Sequence, residues 1–215
     1  MKSNRTRERI LETSIKLFNE KKASNVSTVQ ISAAMQISPG NLYYYYANKE
    51  EVIRCIWEER MLKEIEDLIA KYGDIKTAGE LLEFFRESLE HCFKYKFFYT
   101  EMPTLFVNDD SLFKLYREAS GRVRDVSLKL YGSLMEAGKA AAYGEEVIKD
   151  IVDNGVVLFI GIVSCCDIAA GGVVTEDVVK TVWRRMISYL RPLFTDNMRK
   201  EISGELAARG VNRQE

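Results

Sequence analysis

The residues best suited to chemistry lie between Thr28 and Lys49, and that chemistry is binding rather than bond making. Thr28 and Ser38 each stand where a helix can begin, so a hydroxyl and unpaired backbone N–H groups come together, a combination that holds phosphate oxygens. Pro39, Gly40 and Asn41 form the first turn of the second helix. Gly40 has no side chain to keep a partner from the backbone, and the Asn41 amide matches adenine N6 and N7, or a phosphate. Lys49 opens a third helix with an ammonium for the same kind of anion, or simply a solvated one. Tyr43, Tyr44, Tyr45 and Tyr46 follow one another, and successive helical residues point about 100° apart, so the four cannot all be core.

Local signals set the helices that carry these groups. Ser27 and Gln30 make a capping-box pattern that starts a helix at Thr28, with Val29, Ile31, Ala33, Ala34 and Met35 as its apolar face. Ser38 is the next N-cap, with Pro39 at the first helical position, where its missing N–H costs nothing. Leu42 and Tyr46, four apart, face one core. Asn48 and Glu51 repeat the capping pattern and open a long helix. Three helix starts in so short a stretch are the layout of a helix-turn-helix unit. Ahead of it, Ile10, Leu11, Ser14, Ile15, Leu17 and Phe18 predict a helix from about residue 5 to residue 20, followed by a loop over residues 21–26. Arg5, Arg7 and Arg9 flank that helix, either as a solvated start or as groups reaching phosphates or a minor groove.

Thr28, the Ile31–Ala34 segment, Ile37-Ser38, Gly40, the run from Leu42 to Tyr46 and Asn48-Lys49-Glu50 resemble the TetR-type transcriptional regulators, over roughly residues 10–52. The resemblance implies that Tyr43, Tyr44 and Tyr45 face DNA, with phenols toward phosphates or thymine methyls, and that Tyr46 is a core aromatic. In one place the pattern departs: Gln36 stands where the family usually has Gly, so its backbone must tolerate the turn's geometry.

Charge agrees with a small DNA-reading module on another body. Residues 1–50 hold eight Lys or Arg and four Glu, a net of +4, which leaves −5 for the remainder of a chain whose total is −1. Such asymmetry marks an electrostatic footprint at one end. No Walker or dinucleotide glycine pattern occurs, and no cofactor is expected. His91 is the single histidine, and Cys55, Cys92, Cys165 and Cys166 lack zinc spacing, so no metal site is expected either. His91, next to Cys92 on a helix, reads as a packing or surface residue rather than part of a catalytic constellation, which argues against an enzyme. The charged N-terminus has no signal-peptide pattern, and the apolar run over residues 155–166 is too short for a bilayer, which takes about 20 residues. A reducing cytoplasm and no membrane partner are the expectation.

Only three prolines interrupt 215 residues, so long helices can fill the rest. Helices are predicted over about 49–72, 80–96, 97–107 (with Pro103 limiting its regularity), 111–136 (ended by Gly138), 144–170 and 175–193, the last capped by Thr175. The tail after Pro192 is polar, with room for one weak helix. The run over residues 155–166 is rich in β-branched residues but has no partner strand, so it is read as helix. The expected fold is all-α: a helix-turn-helix domain over residues 1–50, then a larger helical bundle over residues 51–215 for effector binding and dimerisation.

By resemblance, the bundle binds a small, largely apolar effector, and the two long helices at about 145–170 and 175–193 pair with their copies in a homodimer. A two-fold dimer also turns one recognition helix per chain into two half-sites on double-stranded operator DNA. Candidate effector groups are His91, Tyr99, Glu101, Phe106, Tyr116, Arg117, Arg122, Phe159 and Asp167. The leading reading is a repressor released by its effector. The alternatives are a helical dimeric scaffold and a redox-responsive regulator built on the adjacent Cys165 and Cys166.

Overall fold

The computed structural model describes residues 2–170 and 173–211, the side chains of residues 2–4 and 167–170 excepted. The described residues form helices joined by short connections, with no strand beyond one isolated bridge between Ala140 and Phe194. The helices are α1 (Lys2–Lys21), α2 (Thr28–Ala34), α3 (Pro39–Tyr45), α4 (Lys49–Ile56), α5 (Leu62–Tyr72), α6 (Ala78–Lys94), α7 (Lys96–Asn108), α8 (Asp110–Glu136), α9 (Glu145–Ala170), α10 (Glu176–Leu190) and α11 (Asp196–Ala208). A π-helical turn, Trp57–Met61, joins α4 to α5, so the long helix predicted over 49–72 carries an irregular turn. Such turns concentrate at functional positions.

By packing, the chain forms two compact units. The first comprises Met1–Ile65 with Tyr95–Glu118, and the second Glu66–Lys94 with Ala119–Glu215.

In the first unit, Ile10, Leu11, Ser14 and Phe18 of α1 are buried, as are Ile31, Leu42, Tyr46, Val52 and Ile56 of the following segments. Helix α2 turns inward less than its apolar letters suggest. Ile31, Ser32 and Met35 are buried, whereas Val29 is 55% exposed and Ala33 and Ala34 face solvent. Seven residues provide only two turns, so Ile31 and Met35, four apart, define the inner line, and Ser32 closes it by donating to the Val29 carbonyl at 2.9 Å. Helix α7 runs unbroken through Pro103 and buries Phe97, Phe98, Glu101 and Leu105. Phe98 stacks on Trp57 with centroids 4.9 Å apart, and Phe106 and Tyr116 extend the aromatic cluster.

In the second unit, α6 supplies Leu81, Leu82, Phe85, Leu89 and Phe93 to a core shared with α9, α10 and α11. Thr77 and Glu80 cap α6 reciprocally, the Glu80 N–H donating to the threonine hydroxyl at 3.2 Å and the Thr77 N–H to the carboxylate at 2.9 Å. Trp183 of α10 is held from two directions. Its indole N–H donates to the Leu82 carbonyl at 2.8 Å, and the Arg86 and Arg209 guanidinium groups each lie 5.3 Å from its ring. The tail after Pro192 is a full part of this core: α11 buries Met198 and Ile202, and Glu201 accepts from the Ala78 N–H at 3.0 Å and from Lys139 at 2.8 Å.

Candidate nucleic-acid interface

Each short helix of the interface starts as its sequence directs. At α2 the capping box is complete: the Gln30 N–H donates to Ser27 Oγ at 3.3 Å, and the Ser27 N–H donates to the Gln30 side chain at 2.8 Å. At α3 the Asn41 N–H donates to Ser38 Oγ at 3.2 Å, with Pro39 at the first position. At α4 Asn48 accepts from the Glu51 N–H at 2.8 Å while the Glu51 carboxylate accepts from the Ala47 N–H at 2.6 Å. Seven-residue helices do not persist alone in water, so these caps and the core beneath them carry their stability.

Between α2 and α3, Gln36 takes φ 57°, the left-handed conformation, and closes α2 in a Schellman motif: the Ile37 N–H donates to the Ser32 carbonyl and the Gln36 N–H to that of Ala33, each at 3.0 Å. Gly138 does the same work at the end of α8 with φ 68°. The turn therefore carries a side chain at a position that favours glycine, at a cost of roughly 1–2 kcal/mol.

The outer face of α3 is open. Pro39, Gly40 and Asn41 are exposed, Tyr44 is 79% exposed and Tyr43 50%, while Leu42 and Tyr46 are buried beneath them. Tyr45 is half-buried and meets Tyr44 edge-on with centroids 5.0 Å apart. The hydroxyls of Tyr43 and Thr28 lie 2.9 Å apart. Beside them is a shallow groove of about 370 Å³ lined by Ser24, Asn25, Ser27, Thr28, Tyr43 and Lys49 among others. The Lys49 ammonium donates to the Ala23 carbonyl at 2.8 Å. Two hydroxyls, an ammonium and the start of α4 thus line one concavity, a donor set suited to a phosphate backbone.

Behind α3, Arg7 is engaged inward rather than free for phosphates. It pairs with Glu59 and lies 5.6 Å from the Tyr46 ring. That hydrogen bond raises the arginine's pKa and holds the Glu59 carboxyl below its usual range. Burial pushes the Tyr46 phenol well up, against the opposing pull of Arg7. Arg5 and Arg9 remain exposed.

Sequence reasoning missed the tether from α7. Both oxygens of the buried Glu101 accept backbone N–H groups of the turn before α2, Ala23 at 2.6 Å and Ser24 at 3.0 Å. Asn19 accepts from the Phe97 N–H at 3.1 Å, and Arg54 of α4 pairs with Asp109 at 2.5 Å. No local pattern announces partners so far apart in the chain.

The nine candidate effector residues fall in both units. Tyr99, Glu101, Phe106, Tyr116 and Arg117 belong to the first unit, and His91, Arg122 and Phe159 to the second. The Asp167 side chain lies outside the described residues. Glu101 is occupied as above. Arg122 is exposed and ion-paired with Glu66 at 3.5 Å, and Arg117 lies 5.7 Å from the Phe113 ring. His91 is buried on α6, and Phe159 stacks on Phe85 with centroids 6.3 Å apart. Among the described residues no helix is long and apolar enough to cross a membrane.

Comparison with known proteins matches the chain in two stretches that meet between residues 55 and 60. Residues 10–55 match the model of the "Bacterial regulatory proteins, tetR family", and residues 60–202 match a model described as "Bacterial transcriptional repressor". The biofilm operon icaADBC HTH-type negative transcriptional regulator IcaR of Staphylococcus epidermidis is 31% identical over 78 residues, 36% of this chain and 42% of that protein. That match therefore spans less than half of the relative's length. A TetR-family transcriptional regulator from Marinobacter aquaeolei VT8 superposes with a TM-score of 0.81 at 24% identity, over 95% of this chain and 98% of that one. SmeT in its triclosan complex superposes at 0.65 with 16% identity, over 90% and 93% of the two chains. At these identities the superpositions establish the fold, while the two family models together span most of the sequence. The chain belongs to the TetR family of bacterial transcriptional regulators.

Proposed function

We propose that the chain is a repressor that binds double-stranded operator DNA as a homodimer and is released by a small, largely apolar effector. The observation that carries the DNA reading is the solvent-facing start of α3, Pro39-Gly40-Asn41, set beside the groove that holds Thr28, Tyr43 and Lys49. In this reading Asn41 and the exposed tyrosines reach base edges and phosphates, while Thr28, Ser38 and Lys49 fix the register on the backbone.

The dimer reading draws support from α9. Val157 is 71% exposed, and Asn154, Val157, Gly161 and Cys165 recur at helical spacing on one exposed face. Open space surrounds the position a Gly161 Cβ would take, room for another helix to come close. Among the described residues of the second unit, Tyr72, Phe84, Phe85 and Phe159 form a chain of ring contacts, the kind of wall an apolar effector uses. SmeT, of the same fold, is known in complex with triclosan. Effector release requires that the ligand bind the DNA-free arrangement more tightly, and the π-helical turn after α4 is a place where a helix can yield. Burial pushes the Cys55 and Cys166 thiols up, which works against thiolate-based redox sensing.

The test is selection from random duplexes followed by titration of the enriched sequence. A sequence-specific complex that weakens steeply with salt and is dissociated by members of an apolar metabolite panel is the expected result. Enrichment of no sequence would remove the DNA reading; binding that no compound affects would remove the effector.

A further inference from the structure

Helix α7 lies far along the chain from the helix-turn-helix, yet it is tied to that segment at three points. Near its start, the Phe97 N–H donates to Asn19 of α1 at 3.1 Å. At its middle, the Glu101 carboxylate takes the Ala23 and Ser24 N–H groups, one on each oxygen. Just past its end, Asp109 caps α8 through the Ser111 and Leu112 N–H groups, both at 3.1 Å, and pairs with Arg54 of α4. The middle tether differs from the others in what lies on its far side. The Ala23 peptide is gripped from both ends: its N–H by Glu101, its carbonyl by the Lys49 ammonium at 2.8 Å. Ser24, Asn25 and Lys49 all line the groove beside α3.

We propose that Glu101 is a positioning residue for operator binding: by holding the turn at Ala23–Asn25 it sets one wall of the phosphate-facing groove and, through the Ala23 carbonyl, the place of Lys49. The proposal rests on the DNA-binding reading above. Glu101 is 7% exposed, and the two turn amides give each of its buried oxygens a donor. A shift of α7 by the length of a hydrogen bond therefore has to move the turn or leave a buried carboxylate half-satisfied. The chain leaves the first unit at Ile65, within α5, and returns to it from Tyr95 to Glu118, so α7 belongs to the same compact unit as the turn it holds.

Glu101→Gln keeps the shape but replaces one acceptor with an NH2 group that faces an N–H donor. The test uses the full chain and its selected operator duplex, with anisotropy titrations over a salt series for the unaltered chain, E101Q, K49M and the double variant, and a thermal melt of each. E101Q is expected to weaken operator binding about tenfold. It should also lower the slope of log affinity against log salt by about one, as loss of one phosphate contact does. K49M added to E101Q should then cost little more, because both act at one contact. E101Q binding within about twofold of the unaltered chain overturns the proposal, and so does a loss that adds in full to that of K49M with an unchanged salt slope. If E101Q is unfolded, E101D, one methylene shorter, takes its place; if both are unfolded the role is structural only and the proposal falls. Failure of the unaltered chain to bind any duplex instead sinks the regulator reading itself.

Discussion

Helices α3 and α9 both turn a face to solvent, and the two faces share almost no chemistry. The face of α3 is seven residues long, begins Pro-Gly-Asn, and presents two exposed phenols beside a threonine hydroxyl. The face of α9 belongs to a helix of 26 residues and presents Val157, Gly161 and Cys165. Hydroxyls and amides on a short, capped helix suit a charged, hydrated partner, and small apolar residues on a long helix suit another helix. The difference teaches that exposure alone says little about function, and that the chemistry of what is exposed tells a face suited to a charged partner from one suited to another helix.

Substitutions that act on one face and spare the other sharpen this contrast. The largest effect is expected from Val157→Glu, which places a charge at the centre of the α9 stripe. Sedimentation should show a monomer, and operator affinity should fall about a hundredfold with the loss of bivalent contact. A dimer that survives this change means that α9 is not the subunit face. Asn41→Ala should leave the dimer intact and cost about 1–3 kcal/mol of operator binding, together with relaxed base preference at one position per half-site. A uniform loss across all sequences would assign Asn41 to the backbone instead.

Smaller effects test how α3 is held out. Ser27→Ala removes the α2 cap and should destabilise the chain by about 1 kcal/mol in denaturant titration. Gln36→Gly relieves a left-handed backbone and should raise stability by about 0.5–1 kcal/mol without altering the operator sequence selected. The smallest effect is in acid. Arg7 holds Glu59 below the usual carboxylate range, and the Lys76 N–H and the Thr77 hydroxyl do the same for Glu80. Each carboxylate ionises more readily folded than unfolded, so its contribution is complete above the unfolded value of about 4.3 and is lost as pH falls through the lower folded value. Melting temperature should be level down to about pH 5 and then decline slightly, the groups being largely solvent-screened.

The two faces also differ in how plainly the sequence announced them. Ser27, Ser38, Asn48 and Thr175 cap helices where their spacing predicts, because a cap needs only its next three residues. Gly138 ends α8 for the same local reason. Val29 is exposed although it matches the apolar pattern, since a two-turn helix offers only one inner line. The stretch around Phe98 and Phe106 reads as aromatic core, but aromatic letters do not say whose core; the structure places it with Trp57 in the first unit. Glu101 reads in the sequence as a polar group for a ligand; its partners Ala23 and Ser24 lie 78 and 77 residues away, beyond the reach of any local pattern. The tail after Pro192 looked weak because burial of Met198 and Ile202 depends on α6, not on anything in the tail itself.

Hydroxyl-radical footprinting of the selected duplex tests the whole picture most directly. Two protected patches are expected, related by two-fold symmetry and centred about ten base pairs or a whole multiple apart, with Val157→Glu erasing both at once. One unpaired patch, or protection that does not depend on sequence, would contradict it.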